Sequence, residues 1–289
     1  MQHDPHDHDG GLASDLPQFL QRRRLLQMFG GGAVLALAGG AAKVMAGASR
    51  STSPPTSEAA SDVSTVGSGS TGTCTVIAEE TAGPFPGDGS NGPNVLAESG
   101  IVRSDITASF GESTTVAHGV PLTVSLVITD TSNRCVRFAG AAVYIWHCDR
   151  EGRYSMYSDG VTGENYLRGV QEAGANGAVT FRSIFPGAYP GRWPHIHFEV
   201  YATVDEAVAA GKPIATSQLA FPREVCEEVY GTDGYDASVG HLAAMTLEED
   251  GVFGVDGAVT ELATITGDLA DGIIAELAVG VYGNAPVSG

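Results

Sequence analysis

Two histidines with one residue between them, His195 and His197, sit near the end of the segment Phe181–Val200, FRSIFPGAYPGRWPHIHFEV. On an extended strand side chains alternate between faces, so both imidazoles point one way while Ile196 and Phe198 point the other. Their Cα atoms then lie about 7 Å apart, close enough for both rings to converge on one metal ion, and histidine is the commonest metal ligand. A histidine pair lining a polar groove is the alternative. A metal needs further donors. The nearby oxygen candidates are Tyr189, Glu199, which shares the strand parity of the histidines, and the tyrosines of Tyr154-Ser155-Met156-Tyr157. Arg192, behind the tight Pro190-Gly191 pair, places a cation at the same end of the strand.

These groups can act together only if a framework holds them on one face. Val120–Thr129, VPLTVSLVIT, alternates apolar and polar residues as a half-buried strand does. Ala141–His147, Ala178–Ile184 and His195–Tyr201 are further β-rich runs, and Ile214–Phe221 and Leu277–Val281 complete the set. Glycine- and proline-rich turns separate them, among them Ala78–Asp88, AEETAGPFPGD, and Asp130–Arg134. Strands at short spacing with such turns predict a mainly β fold, an antiparallel β-sandwich with long loops and a few short helices. Val204–Gly211 and Pro222–Tyr230 are the helix candidates. No internal repeat divides the chain, so residues 74–289 read as one catalytic-sized domain.

The formal charge of −19 excludes a nucleic-acid partner, which needs a basic footprint, and disfavours anionic membrane surfaces. Gln21–Gln27, QRRRLLQ, precedes a Gly/Ala-rich run from Met28 to Ala42 and then Ala46-Gly47-Ala48, a small-residue cleavage pattern. Residues 1–48 thus resemble a twin-arginine export signal, which predicts an exported protein (secreted, periplasmic or cell-surface) free of the membrane once the signal is removed, with a retained membrane anchor as the alternative. His3, His6 and His8 lie ahead of that signal and have no role in the mature protein. Residues 49–73, rich in Ser, Thr, Pro, Gly and Ala, read as a flexible linker with too little apolar surface to fold. Four cysteines follow, and an oxidising compartment favours two disulfides, with Cys74–Cys135 and Cys148–Cys226 the preferred pairs.

The succession of motifs adds a family likeness. Trp146-His147-Cys148-Asp149 followed by Gly152-Arg153-Tyr154-Ser155 resembles the W-H-x-D…G-x-Y-S segment of the intradiol ring-cleavage dioxygenases, which include the catechol and protocatechuate dioxygenases. Leu167–Gln171 (LRGVQ), the FRSI strand, P-G-x-Y-P-G-R and H-I-H then follow in the family's order. Phe85 in ETAGPFPG and Arg103-Ser104-Asp105-Ile106 resemble the exported bacterial members. The likeness covers most of Cys74–Phe221 and weakens beyond.

The resemblance implies a mononuclear Fe(III) held by Tyr154, Tyr189, His195 and His197. It implies a catechol and O2 as substrates and a cis,cis-muconate as product, with Tyr189 as a displaceable ligand that doubles as a base. It also gives Arg192 the role of stabilising negative charge and Gln218, in TSQLAF, that of hydrogen-bonding the substrate. The chemistry is consistent, since Fe(III) is a hard Lewis acid that takes anionic oxygen and imidazole. A phenol with a pKa near 10 ionises at neutral pH only beside a strongly polarising cation. Tyr157 and His147 match no ligand position and read as pocket or packing residues. Trp193-Pro194 stands where other members often carry Pro-Ala, which places a bulky aromatic beside the site. Two rival readings remain open: a metal-free β-sandwich that binds aromatic or carbohydrate ligands, and a zinc hydrolase built on the histidine pair and Glu199.

Overall fold

The computed structural model describes residues 74–283. The expected export signal (1–48) and linker (49–73) lie outside the described residues. Period-two alternation builds two facing sheets. In the first, β1 (Pro121–Asp130) lies between β9 (Gly272–Val281) on one edge and both β2 (Val136–Arg137) and β5 (Ala178–Ile184) on the other, with β8 (Thr264–Asp268) outside β9. The second runs β4 (Arg168–Glu172), β3 (Ala142–Trp146), β6 (His195–Tyr201), β7 (Ala215–Ala220), antiparallel throughout. The expected β-sandwich is therefore present. One pair, β1 with β9, is parallel; the long stretch of chain between them provides the crossover that parallel pairing requires.

Strands β5 and β6 coincide with the sequence expectation, and β1, β3 and β7 deviate by a residue at each end. Helices α1 (Val204–Val208) and α2 (Arg223–Tyr230) fall where expected. A third, α3 (Asp236–Ala243), was not foreseen, because it buries only Ser238 and Leu242 and so lacks a clear apolar stripe. Among the described residues no helix is long and apolar enough to cross a membrane.

The sandwich interior forms from Leu122, Val124, Leu126 and Ile128 of β1 with Phe181 of β5 and Ala275 and Val279 of β9, packed on Val143, Ile145, Ile196, Phe198 and Val200 of the second sheet. Alternation then sends Tyr144, Trp146, His195 and His197 to the opposite face. That face is not left in water. Val95, Leu96, Ile101 and Tyr154 from loops, and Ala207 of α1, close a second apolar layer over Tyr144, Trp146, Val170 and Tyr201. Burying a large side chain of this kind contributes about 1.5–3 kcal/mol, enough for the layer to hold the loops down on the sheet.

Cys74 and Cys135 form a disulfide, but the expected Cys148–Cys226 bridge is absent, and both of these cysteines are free and buried. They belong to different layers. Cys226 packs in the sandwich interior, whereas Cys148 lies in the outer layer and donates its thiol to the Gly187 carbonyl at 3.4 Å. Burial pushes both thiols up, which keeps them protonated and unreactive.

Candidate metal centre

Strand pairing sets the first half of the site. Trp146, His197 and Gln218 lie in register across β3, β6 and β7 and so share the outer face. The Trp146 indole stacks on His197 with centroids 5.0 Å apart and planes 5° from parallel, which fixes the imidazole's rotation. On the other side Gly83 presses against the same ring. Its φ is +68°, and a Cβ there would stand 3.1 Å from His197 Cε1, so glycine is what lets the backbone come so near.

Two loops supply the oxygens. Tyr154 follows β3 in a turn where its N–H donates to Ser158 Oγ at 2.9 Å and Ser155 Oγ donates to the Tyr166 carbonyl at 2.8 Å. Tyr189 stands in the loop between β5 and β6. The loops touch at Gly152, where a Cβ would meet the Ala188 carbonyl and Tyr189 Cβ at 3.2 Å. The result is a convergence of four donor atoms. His195 Nε2 lies 3.1 Å from His197 Nε2, 3.2 Å from Tyr189 Oη and 3.5 Å from Tyr154 Oη, and the two phenol oxygens are 3.4 Å apart.

This donor set fits a hard, multivalent cation. His195 Nδ1 pairs with the Trp193 carbonyl at 2.5 Å, so the proton belongs there and Nε2 presents a lone pair. His197 Nδ1 has no partner at full hydrogen-bond geometry, but the Thr81 carbonyl acts on that ring from longer reach, in the same sense. Burial first, then Arg192, hold His195 far below the usual histidine range; burial, His195 and Arg192 do so for His197. Both rings are thus neutral, the form that binds metals. With no cation among them the phenols stay protonated: burial and Tyr189 push Tyr154 well up, and burial raises Tyr189 to about 12 against the opposing pull of Arg192. Two lone pairs facing each other at 3.1 Å, ringed by two phenols, are an arrangement that a metal ion would relieve. Among the described residues no three His, Cys, Asp or Glu side chains gather into a metal cluster, so such an ion depends on the tyrosines.

Arg192 stands beside this group, 3% exposed. Its Nη1 is 3.3 Å from His195 Nε2, its Nη2 donates to Gln218 Oε1 at 2.5 Å, and its Nε donates to Asp250 Oδ2 at 2.9 Å. Gln218 in turn donates from Nε2 to the Thr81 carbonyl at 2.9 Å.

The dioxygenase family model (Dioxygenase_C) matches residues 91–210. An intradiol ring-cleavage dioxygenase from Tetranychus urticae is 29% identical and superposes with a TM-score of 0.57, over 72% of this chain and 95% of that one. A second dioxygenase crystal structure is 28% identical, with a TM-score of 0.56 over 72% and 94%. The chain is thus similar to the intradiol ring-cleavage dioxygenases, both in the family-model match and in fold. No curated protein is similar enough to this sequence to count as a match.

Tyr154, Tyr189, His195, His197, Arg192 and Gln218 all lie together at this site. Glu199 does not join them, since its carboxylate accepts from Tyr201 Oη at 2.6 Å and Thr216 Oγ1 at 3.4 Å. Trp193 corrects another expectation. Its ring turns into the core, where Nε1 donates to the Phe221 carbonyl at 2.8 Å and the Arg223 guanidinium covers it at 4.9 Å, so it does not stand beside the site. His147 is a packing residue between Ser183 Oγ (2.7 Å) and the Cys148 carbonyl (2.8 Å). Tyr157 packs against Phe85 with the rings tilted by 50° and centroids 5.1 Å apart, and Phe85 itself lies 4.9 Å from the Tyr154 ring. Sequence reasoning missed Asp250. Asp250-Gly251-Val252-Phe253 carries the signal of an Asx turn, and the carboxylate does accept from the N–H groups of Val252 and Phe253, but nothing local reveals that its other oxygen reaches Arg192.

Proposed function

We propose that the chain is a non-haem Fe(III) dioxygenase that inserts both atoms of O2 into a catechol between its two hydroxyl-bearing carbons, giving a cis,cis-muconate. The observation that carries this reading is the convergence of Tyr154 Oη, Tyr189 Oη, His195 Nε2 and His197 Nε2, with neighbouring pairs 3.1–3.5 Å apart. Those four residues would hold the iron, and Fe(III) bound there supplies Lewis-acid activation and a template for the catechol oxygens. As phenolates, the two tyrosines offset most of its charge in a site with little water.

The protein's own groups divide the remaining work. Tyr154 is fully enclosed, whereas Tyr189 sits on a loop and is partly exposed. Tyr189 is therefore the phenolate free to give way, and its Oη takes up a catechol proton. Arg192 directs Nη1 toward the histidine pair and stabilises negative charge that develops on the substrate. Gln218, pinned between Arg192 and Thr81, offers its amide to orient the ring. Phe85 and Tyr157 cover the Tyr154 side and exclude water. The substrate partners are a small-molecule catechol and O2, with no nucleic acid and no membrane. By the same reading residues 74–289 are the catalytic domain, exported by the twin-arginine-type signal of residues 1–48 through the linker 49–73.

The test is direct. The purified protein is assayed for iron, its visible spectrum is recorded, and catechol is added under air. The expected result is bound iron, an intense phenolate-to-iron absorption band, O2 uptake and a muconate product. Iron-loaded protein that consumes no O2 with any simple catechol would sink the proposal, and a colourless zinc protein would favour the hydrolase.

A further inference from the structure

We infer that Asp250, which lies beyond the stretch matched by the family, is a positioning residue for Arg192 and through it for the reacting centre. The inference rests, for its turnover readout, on the function proposed above. A buried guanidinium needs a compensating anion, and removing the partner of a buried pair is strongly destabilising. Here the pair is enclosed, with the side chains of Arg192 and Asp250 3% and 0% exposed and Nε–Oδ2 at 2.9 Å. The carboxylate is itself rigidly held. Oδ2 accepts a second bond from the Trp193 N–H at 2.7 Å, and Oδ1 accepts from the N–H groups of Val252 at 2.8 Å and Phe253 at 3.0 Å.

Neutralisation alone would not demand this geometry. With Nε held by Asp250 and Nη2 held by Gln218, the guanidinium plane has no freedom to turn, and Nη1 is left directed at His195 Nε2. Phe253, on the same turn, lies 5.7 Å beneath the guanidinium and 6.2 Å from the His195 ring. The bond to Trp193 N–H adds a second line of control. It anchors the residue whose own carbonyl receives His195 Nδ1, so one carboxylate sets both the arginine that faces the substrate and the orientation of a ligand imidazole.

The experiment compares Asp250→Asn, Asp250→Glu, Arg192→Gln and the Asp250→Asn/Arg192→Gln double variant with the wild-type protein. Asparagine keeps the shape but must present its NH2 to one of two donor pairs, Arg192 with Trp193 or Val252 with Phe253, so either Arg192 or the turn that carries its anchor is displaced. The expected result is retained iron and visible band, kcat lower by about 100-fold as for a misplacement near 1 Å, and KM within a few-fold of wild type. The double variant should be no slower than Arg192→Gln alone, because a merely structural role would give losses that multiply. Wild-type kcat in Asp250→Asn, or multiplying losses, overturns the inference. Should Asp250→Asn fail to fold, Asp250→Glu carries the test: it keeps the charge and displaces the carboxylate, so wild-type kcat there refutes positioning and a loss with iron retained supports it. Should the wild-type protein bind iron yet cleave no catechol, the proposed function fails by itself. Crystal structures then decide on Asp250, a displaced Arg192 guanidinium in the variant supporting the inference and an unmoved one overturning it.

Discussion

Replacing Arg168 by methionine tests how the face proposed to bind the metal is closed. Arg168 is fully buried and spends every donor group on uncharged acceptors: Nε on Ser155 Oγ (3.0 Å), Nη1 on the carbonyls of Phe85 and Pro86 (both 3.0 Å) and on Tyr144 Oη (3.2 Å), and Nη2 on the Ser155 carbonyl (2.9 Å). It thereby ties the 83–87 strap, which presses Gly83 on His197, to the turn that carries Tyr154. Methionine fills the stem's space and leaves the acceptors behind. Three keep partners, since Tyr144 Oη still donates to the Pro86 carbonyl and Ser155 Oγ to that of Tyr166. The Phe85 and Ser155 carbonyls do not, and each buried unpaired group costs about 1–3 kcal/mol. Relief from burying a charge offsets part of this, so the expected loss is about 2–4 kcal/mol, a fall in Tm of roughly 5–15 °C for a domain of this size. Iron affinity should fall by about 10–100-fold, as when outer-shell partners of a metal site are removed. Thermal unfolding of the metal-free variant and an iron titration read the two effects. An unchanged Tm would mean that these bonds do not hold the strap, and the account of the second layer would fail with them.

Two further outcomes are expected. Burial, against the opposing Tyr201 hydrogen bond, raises the Glu199 carboxyl from 4.5 to about 7. The unfolded chain therefore releases this proton first, and stability falls as pH rises between those values, by about 3 kcal/mol in all. Glu199→Gln removes that loss, so its advantage over wild type in denaturant unfolding should grow from about pH 5 to about pH 8; a constant difference refutes the assignment. Cys135→Ser opens a disulfide that spans a sequence separation of 61, which should lower stability by about 2–4 kcal/mol without altering iron content. A variant as stable as wild type would show that the bridge leaves the folding equilibrium unchanged.

What could be read in the sequence was what depends on near neighbours. The common face of His195 and His197 follows from period-two alternation alone, and strands β5 and β6 follow from their β-branched and aromatic runs. Strand β4 escaped because its Arg168-Gly169 start reads as polar and flexible, whereas the arginine is buried by acceptors remote in sequence. The pairing of Cys148 with Cys226 failed for the converse reason: cysteine parity carries no information on which side of a sheet each thiol packs. Tyr154 and Tyr189 were oxygen candidates by proximity, but only family likeness singled them out from Glu199 and Tyr157, because no local signal distinguishes a ligand tyrosine from a core one.

The placement of the site explains why such remote residues matter to it. The histidines point out of the sandwich, so the sheet can offer only one wall, and everything opposite them must come from loops. Loops lack ladder hydrogen bonds and hold position only through side-chain ties and apolar cover. Each working group here has such a tie: Gly83 and Phe85 through Arg168, Tyr154 through Ser158, and Arg192 through an Asp250 that is 58 residues away. A site built this way separates its demands. The sheet keeps the imidazoles fixed while Tyr189, the least tied of the four donors and the most exposed, retains the freedom that a displaceable ligand needs.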